Sequence, residues 1–81
     1  MPKPRLLLLS REGCCLCDEL EEDLLAEFGP QAFELERADV DARADWQERY
    51  GRSIPVLLGE GGELLSETRL DAARVASVLG R

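Results

Sequence analysis

Three kinds of apolar spacing follow one another along this chain, and they divide it into short elements. Between Arg5 and Ser10 the run Leu6-Leu7-Leu8-Leu9 is unbroken, as expected for a short strand covered on both faces. Gly13 interrupts it, and from about Cys14 to Phe28 the spacing turns helical. Leu16, Leu20, Leu24 and Phe28 recur at every fourth position and Leu25 widens the stripe, with Glu19, Glu21, Glu22 and Asp23 on the solvated side. Gly29-Pro30 stops this helix, since glycine accepts a left-handed turn and proline cannot continue the ladder. Phe33 to Ala38 then alternates, Phe33 and Leu35 against Glu34 and Glu36, which predicts a half-buried strand.

Asp39 and Asp41 are both suited to cap a short helix from about Ala42 to Tyr50, with Ala42, Trp46 and Tyr50 on one side and Gly51 at its end. Ile54 to Leu58 reads as a third strand with Pro55 near its start, where a missing N–H is tolerated. Gly59-Glu60-Gly61-Gly62 has hairpin chemistry, and Glu63 to Ser66 is the returning strand. Asp71 caps a last helix, Ala72 to Leu79, turned inward through Ala72, Val75, Ala76 and Leu79 and closed by Gly80. The order is β-α-β-α-β-β-α. Its first β-α-β requires a parallel pair with a right-handed crossover, and its last two strands form an antiparallel hairpin. The expectation is one α/β domain over residues 1–81, a mixed four-stranded sheet flanked by three helices.

Composition narrows the partners. With 10 basic and 17 acidic residues the net charge is −7, which argues against nucleic acid or an anionic membrane, since both reward basic patches. No segment approaches the ~20 apolar residues of a membrane span. Lys3 and Arg5 before four leucines echo a secretory signal, but the run is too short and Arg11 and Glu12 follow at once. A buried strand and a cytoplasmic protein are expected.

The candidate chemistry lies in Gly13-Cys14-Cys15-Leu16-Cys17-Asp18, which holds all three cysteines of the chain. A C-x-x-C pair at a strand-to-helix junction reads as a dithiol redox site. Positions three apart on a helix share a face with Cα atoms about 5 Å apart, inside the disulfide window of roughly 4.4–6.8 Å. Cys14 and Cys17 fit. Cys14 and Cys15 are neighbours, about 3.8 Å apart and strained as a pair, while Cys15 and Cys17 point to nearly opposite sides. Cys15 is thus an accessory thiol. A complete zinc site needs four ligands, and three cysteines without a histidine do not supply it; no metal is expected.

With Tyr50-Gly51 and Ile54-Pro55-Val56-Leu57 downstream of Cys14-Cys15-Leu16-Cys17, the sequence resembles the thioredoxin-like superfamily. Within it, the chain is similar to small bacterial glutaredoxin-like proteins of the Gly-Cys-x-Leu-Cys-Asp form. The resemblance implies a thioredoxin-like fold and a thiol–disulfide oxidoreductase. Cys14 would be the attacking thiolate and Cys17 the resolving thiol. Pro55 would be a cis-proline facing the cysteines, and the Ile54 backbone would pair with a peptide-like substrate. Arg11 stands where glutaredoxins often carry a lysine that contacts a glutathione carboxylate. Two departures stand out. Cys15-Leu16 replaces the Pro-Tyr between glutaredoxin cysteines, and Glu67-Thr68-Arg69-Leu70 occupies the place of their glutathione-binding Gly-Gly.

The expected substrate is therefore a disulfide of a protein or of glutathione, turned over by a monomer. No tightly bound cofactor is expected; glutathione or a reductase-type thiol system would restore the dithiol. A helix start favours the thiolate through its unpaired N–H groups and dipole. Arg11 would add to this, while Glu12, Asp18 and Glu19 oppose it. Two other readings remain open on the residues alone: a non-catalytic thioredoxin-fold binding module, and an iron–sulfur cluster shared between two chains.

Overall fold

The computed structural model describes residues 3–80. In chain order the elements are β1 (Arg5–Ser10), α1 (Cys15–Phe28), β2 (Glu34–Asp39), a 3₁₀ turn (Val40–Ala42), α2 (Ala44–Tyr50), β3 (Val56–Leu58), β4 (Leu64–Glu67) and α3 (Ala72–Leu79). The strands form one mixed sheet in the order β2-β1-β3-β4. β1 and β2 are parallel, from Arg5 opposite Glu34 to Ser10 opposite Asp39. β3 is antiparallel to both β1 and β4. This is the thioredoxin-like α/β arrangement, three helices on a mixed four-stranded sheet.

Composition explains the strand order. β1 and β3 are almost wholly apolar and take the two inner positions. The edge position of β2 carries Glu34, Glu36, Arg37 and Asp39, and charge on an edge discourages pairing with another chain. Successive residues of β1 point to opposite faces. Leu6 and Leu8 join Leu20 and Leu24 of α1, Leu57, Leu65 and Val75 of α3 in one core. On the other face Leu9, Val40, Val56 and Leu58 form a second core, with Leu7 and the α2 residues Trp46 and Tyr50 packed against it. So α1 and α3 cover one face and α2 the other.

Three expectations need correction. First, the buried face of α1 is Cys17, Leu20 and Leu24, whereas Leu16 is 44% and Leu25 37% exposed. A four-residue repeat drifts about 40° per step on a helix of 3.6 residues per turn, so Leu16 has rotated roughly 80° from Leu24. Cys17, at a spacing of three before Leu20, stays over the sheet. Second, the helix expected from Ala42 is two pieces. The Asp39 carboxylate accepts the Asp41 N–H at 2.8 Å and caps the 3₁₀ turn; Arg43 is extended, and only then does α2 begin, without a side-chain cap. Ala42 is consequently exposed. Third, β2, β3 and β4 begin at Glu34, Val56 and Leu64, one or two residues later than the alternation suggests.

The caps of the longer helices follow the sequence. Gly29 ends α1 at φ 82°, and its N–H donates to the Leu25 carbonyl at 2.8 Å. Asp71 caps α3, its carboxylate accepting the Arg74 N–H at 3.1 Å. The Asp71 N–H in turn donates to Ser66 Oγ at 2.8 Å, satisfying a buried hydroxyl and fixing α3 against β4.

Candidate functional site

The chain leaves the sheet at Ser10, turns through Gly13 at φ 81°, a conformation costly for any residue with a Cβ, and closes with the Cys14 N–H donating to the Arg11 carbonyl at 3.1 Å. Cys14 is then the N-cap of α1, extended at φ −87°, ψ 102°. Its Sγ accepts the Cys17 N–H at 3.3 Å. The sulfur thus does the work of a Ser or Asp cap, at the end of the helix where an anion is favoured. All three cysteines are free thiols; Cys14 is half-buried, Cys15 exposed and Cys17 buried.

The two sulfurs of the C-x-x-C pair have different surroundings. Cys17 is 0% exposed. Burial, and next its hydrogen bond with Cys14, push its thiol up to about 11, against the pull of the Arg11 main-chain N–H and the Arg37 guanidinium. At neutral pH it is a thiol. Arg37 reaches from β2 to α1, donating to Asp18 at 3.0 Å and to Glu21 at 3.4 Å. It ties the edge strand to the helix that carries both cysteines.

Arg11 is not free. Its Nε and Nη2 donate to the two carboxylate oxygens of Asp41 at 2.8 and 2.9 Å, and its Nη1 donates to the Gly51 carbonyl at 3.2 Å. Gln47 Nε2 donates to the same Asp41 oxygen, Oδ1, at 3.1 Å. The Arg11 hydrogen bonds hold the Asp41 carboxyl below its ordinary range. Asp41, expected as a helix cap, instead clamps the cysteine loop to the start and end of the α2 region. Nothing local in the sequence pairs two residues 30 positions apart, so no pattern of residue types marks Asp41 or Gln47 as part of the site.

Ile54 and Pro55 lie at the same end of the sheet as the cysteine loop. Val56 pairs with Leu9, so continuing that register places Pro55 near Ser10. The Ile54–Pro55 peptide is cis; Pro55 is buried, and Ile54 packs on the second core. The Thr68 N–H bridges the Pro55 and Ser53 carbonyls at 2.7 and 3.1 Å, and Thr68 Oγ1 donates to Ser53 at 3.2 Å. The Thr68 φ of 64° is a glycine-like conformation that a β-branched residue rarely takes.

Beside the first turns of α1 an open groove of about 540 Å³ runs between Leu16, Glu19, Leu20, Glu22 and Asp23 on one wall and Thr68, Arg69 and Leu70 on the other. A depression of about 600 Å³ lies near the start of β1, lined by Arg5, Leu7, Glu34, Glu36 and Glu60 among others. The cysteines follow the end of that strand, and six residues at about 3.3 Å each separate the two places by roughly 20 Å. The smaller groove is the one along the helix that Cys14 caps.

Comparison with known proteins agrees with this architecture. Uncharacterized proteins of Mycobacterium bovis and Mycobacterium tuberculosis are 30% identical over 89 residues, covering 99% of this chain and 92% of theirs. A solution NMR structure of a Nitrosomonas europaea protein superposes with a TM-score of 0.80 at 26% identity, covering 96% of this chain and 93% of that one. An X-ray structure of an X. campestris protein gives 0.65 at 31% identity, over 93% and 95% of the two chains. The profile of the glutaredoxin-like domain (DUF836) matches residues 5–80, and the chain therefore belongs to that family.

Proposed function

We propose that this protein is a thiol–disulfide oxidoreductase in which Cys14 attacks and Cys17 resolves. The observation that carries the reading is the inequality of the two cysteines. Cys14 is half-buried at the helix start, where its Sγ accepts the Cys17 main-chain N–H at 3.3 Å, and Cys17 is buried with its thiol protonated. An accessible sulfur held at a helix N-terminus suits nucleophilic attack, and a shielded thiol beside it suits the second step.

The Cys14 thiolate attacks one sulfur of a substrate disulfide, and the other sulfur leaves as a thiolate that takes a proton from water. Cys17 then loses its proton and attacks Cys14 Sγ, releasing the second substrate sulfur as a thiolate. The substrate disulfide has gained two electrons, and the protein holds a Cys14–Cys17 disulfide. Two external thiols, of glutathione or of a reductase-type protein, return the electrons through the same exchange. The Cys17 proton must leave before it can attack, so resolution is the pH-sensitive step. Pro55, Ile54 and the tied Thr68 supply the wall against which the substrate chain would lie. Arg11 shapes the loop through Asp41. A monomer in a reducing compartment such as the cytoplasm suits this cycle, and no helix among the described residues is long and apolar enough to cross a membrane.

Titration of the full chain in glutathione redox buffers, with peptide mapping at each point, tests the reading. The expected result is one reversible Cys14–Cys17 couple, together with a Cys17→Ser variant that accumulates a mixed disulfide on Cys14. Thiols that never pair, or a variant that traps nothing on Cys14, would overturn it.

A further inference from the structure

We infer that the groove beside the cysteines is a substrate subsite for a cationic polypeptide segment, so that disulfides flanked by Lys or Arg react in preference to those flanked by carboxylates. The inference rests on the oxidoreductase reading above and names its substrate class.

Four observations carry it. The groove opens along the first turns of α1, the helix that Cys14 caps, and begins at Leu16. Its other wall is tied to the cis-proline loop through Thr68 and the Pro55 carbonyl at 2.7 Å, so a chain whose disulfide reached Cys14 would pass along it. Its lining pairs exposed apolar surface, Leu16 at 44% with Leu70, and an acidic rim of Glu19, Glu22 and Asp23 set against Arg69. Those three carboxylates make no salt bridge among the described residues, unlike Asp18 and Glu21, which Arg37 holds.

The fourth observation is at the other side of Cys14. Arg11 is the cation best placed to receive an anionic substrate, and Asp41 engages it through two hydrogen bonds while the Gly51 carbonyl takes a third. One side of the attacking sulfur therefore offers no unpaired cation to an anionic substrate, and the groove on the other carries unpaired carboxylates. Apolar floor and acidic rim together fit an extended segment carrying apolar and basic side chains.

The test uses two synthetic peptides of the same apolar sequence around one cysteine, flanked by two lysines in one and two glutamates in the other. The cysteine is capped as a disulfide with 5-thio-2-nitrobenzoate. Attack by Cys14 on the peptide sulfur breaks that bond, joins the peptide to Cys14 and releases the coloured thiolate, whose appearance gives the rate. The full reduced chain carries Cys15→Ser and Cys17→Ser, so that Cys14 is the reacting thiol and the peptide joined to it is not released.

At about 0.01 M ionic strength, where the Debye length is about 30 Å, the lysine peptide is expected to react at least about fivefold faster, the effect of several exposed charge pairs together. The ratio should fall towards one at about 1 M salt. E19Q/E22Q/D23N should abolish the preference, while E27Q/E36Q/E48Q, an equal change of net charge away from the groove, should retain it. Equal rates at low salt overturn the inference and leave the Cys14 chemistry standing. So does a preference that both triple variants weaken alike, because the overall charge would then be its source. If neither peptide is found on Cys14, the oxidoreductase reading fails as well.

Discussion

Burial of Cys17 makes a quantitative statement about stability. Burial first, and the Cys14 hydrogen bond next, push its thiol from the ordinary value of 9.0, taken for the unfolded chain, up to about 11 in the folded, reduced protein. Between those values the unfolded state binds fewer protons than the folded one, so stability falls as pH rises. The contribution is fully present below about pH 9 and is lost as pH climbs through about 11. Two pKa units at about 1.36 kcal/mol each make the loss roughly 2–3 kcal/mol. Urea unfolding of the reduced protein, followed by fluorescence of the single tryptophan, Trp46, would be run from about pH 8 to about pH 11. Cys17→Ala is the perturbation. At about pH 8 the variant is expected to be roughly 1 kcal/mol less stable from the lost packing. By about pH 11 that deficit should close or reverse, a change of about 2 kcal/mol. A gap between the two proteins that stays constant over the whole range would refute the reasoning.

Other perturbations follow from the same geometry. Leu24→Ala should cost about 3 kcal/mol of unfolding free energy because Leu24 is wholly buried. Leu16→Ala should cost under about 1 kcal/mol; equal losses in urea unfolding would contradict the buried face assigned to α1. Asp71→Ala should cost about 1 kcal/mol by removing the α3 cap, visible as faster hydrogen exchange at the Arg74 amide. A double-mutant cycle of Arg11→Ala and Asp41→Ala should show a favourable coupling that weakens in high salt, and strict additivity would mean that the clamp is not formed in solution.

Much of the site is legible in the order of residues. The C-x-x-C spacing selects Cys14 and Cys17, and the glycine-led junction puts Cys14 at a helix start; the fold places it one step earlier, as the cap itself. Pro55 stands out through its place at the head of an apolar strand, and its peptide is cis. The partners that act across the fold leave no such mark. Asp39 and Asp41 are the same residue type two positions apart, so as caps they look equivalent. Only the approach of the β1 loop decides that Asp39 caps the turn and Asp41 holds Arg11. Thr68 enters the sequence reading only within the segment Glu67 to Leu70; its left-handed conformation leaves no local mark, since carbonyls from Ser53 and Pro55, more than ten residues away, hold it.

Elements with local causes are encoded segment by segment: the apolar run of β1, the amphipathic α1, the glycine stops, the Asp71 cap and the spacing of the thiols. Their energies come from neighbours within a turn or a strand, so the order of residue types suffices. Tertiary packing settles which face of α1 meets the sheet, and therefore that Cys17 is buried while Leu16 lies open beside an acidic groove. It also settles whether Arg11 meets a substrate or Asp41. Both outcomes depend on surfaces brought together from distant parts of the chain, where burial and charge pairing are properties of the assembled fold and of no single segment.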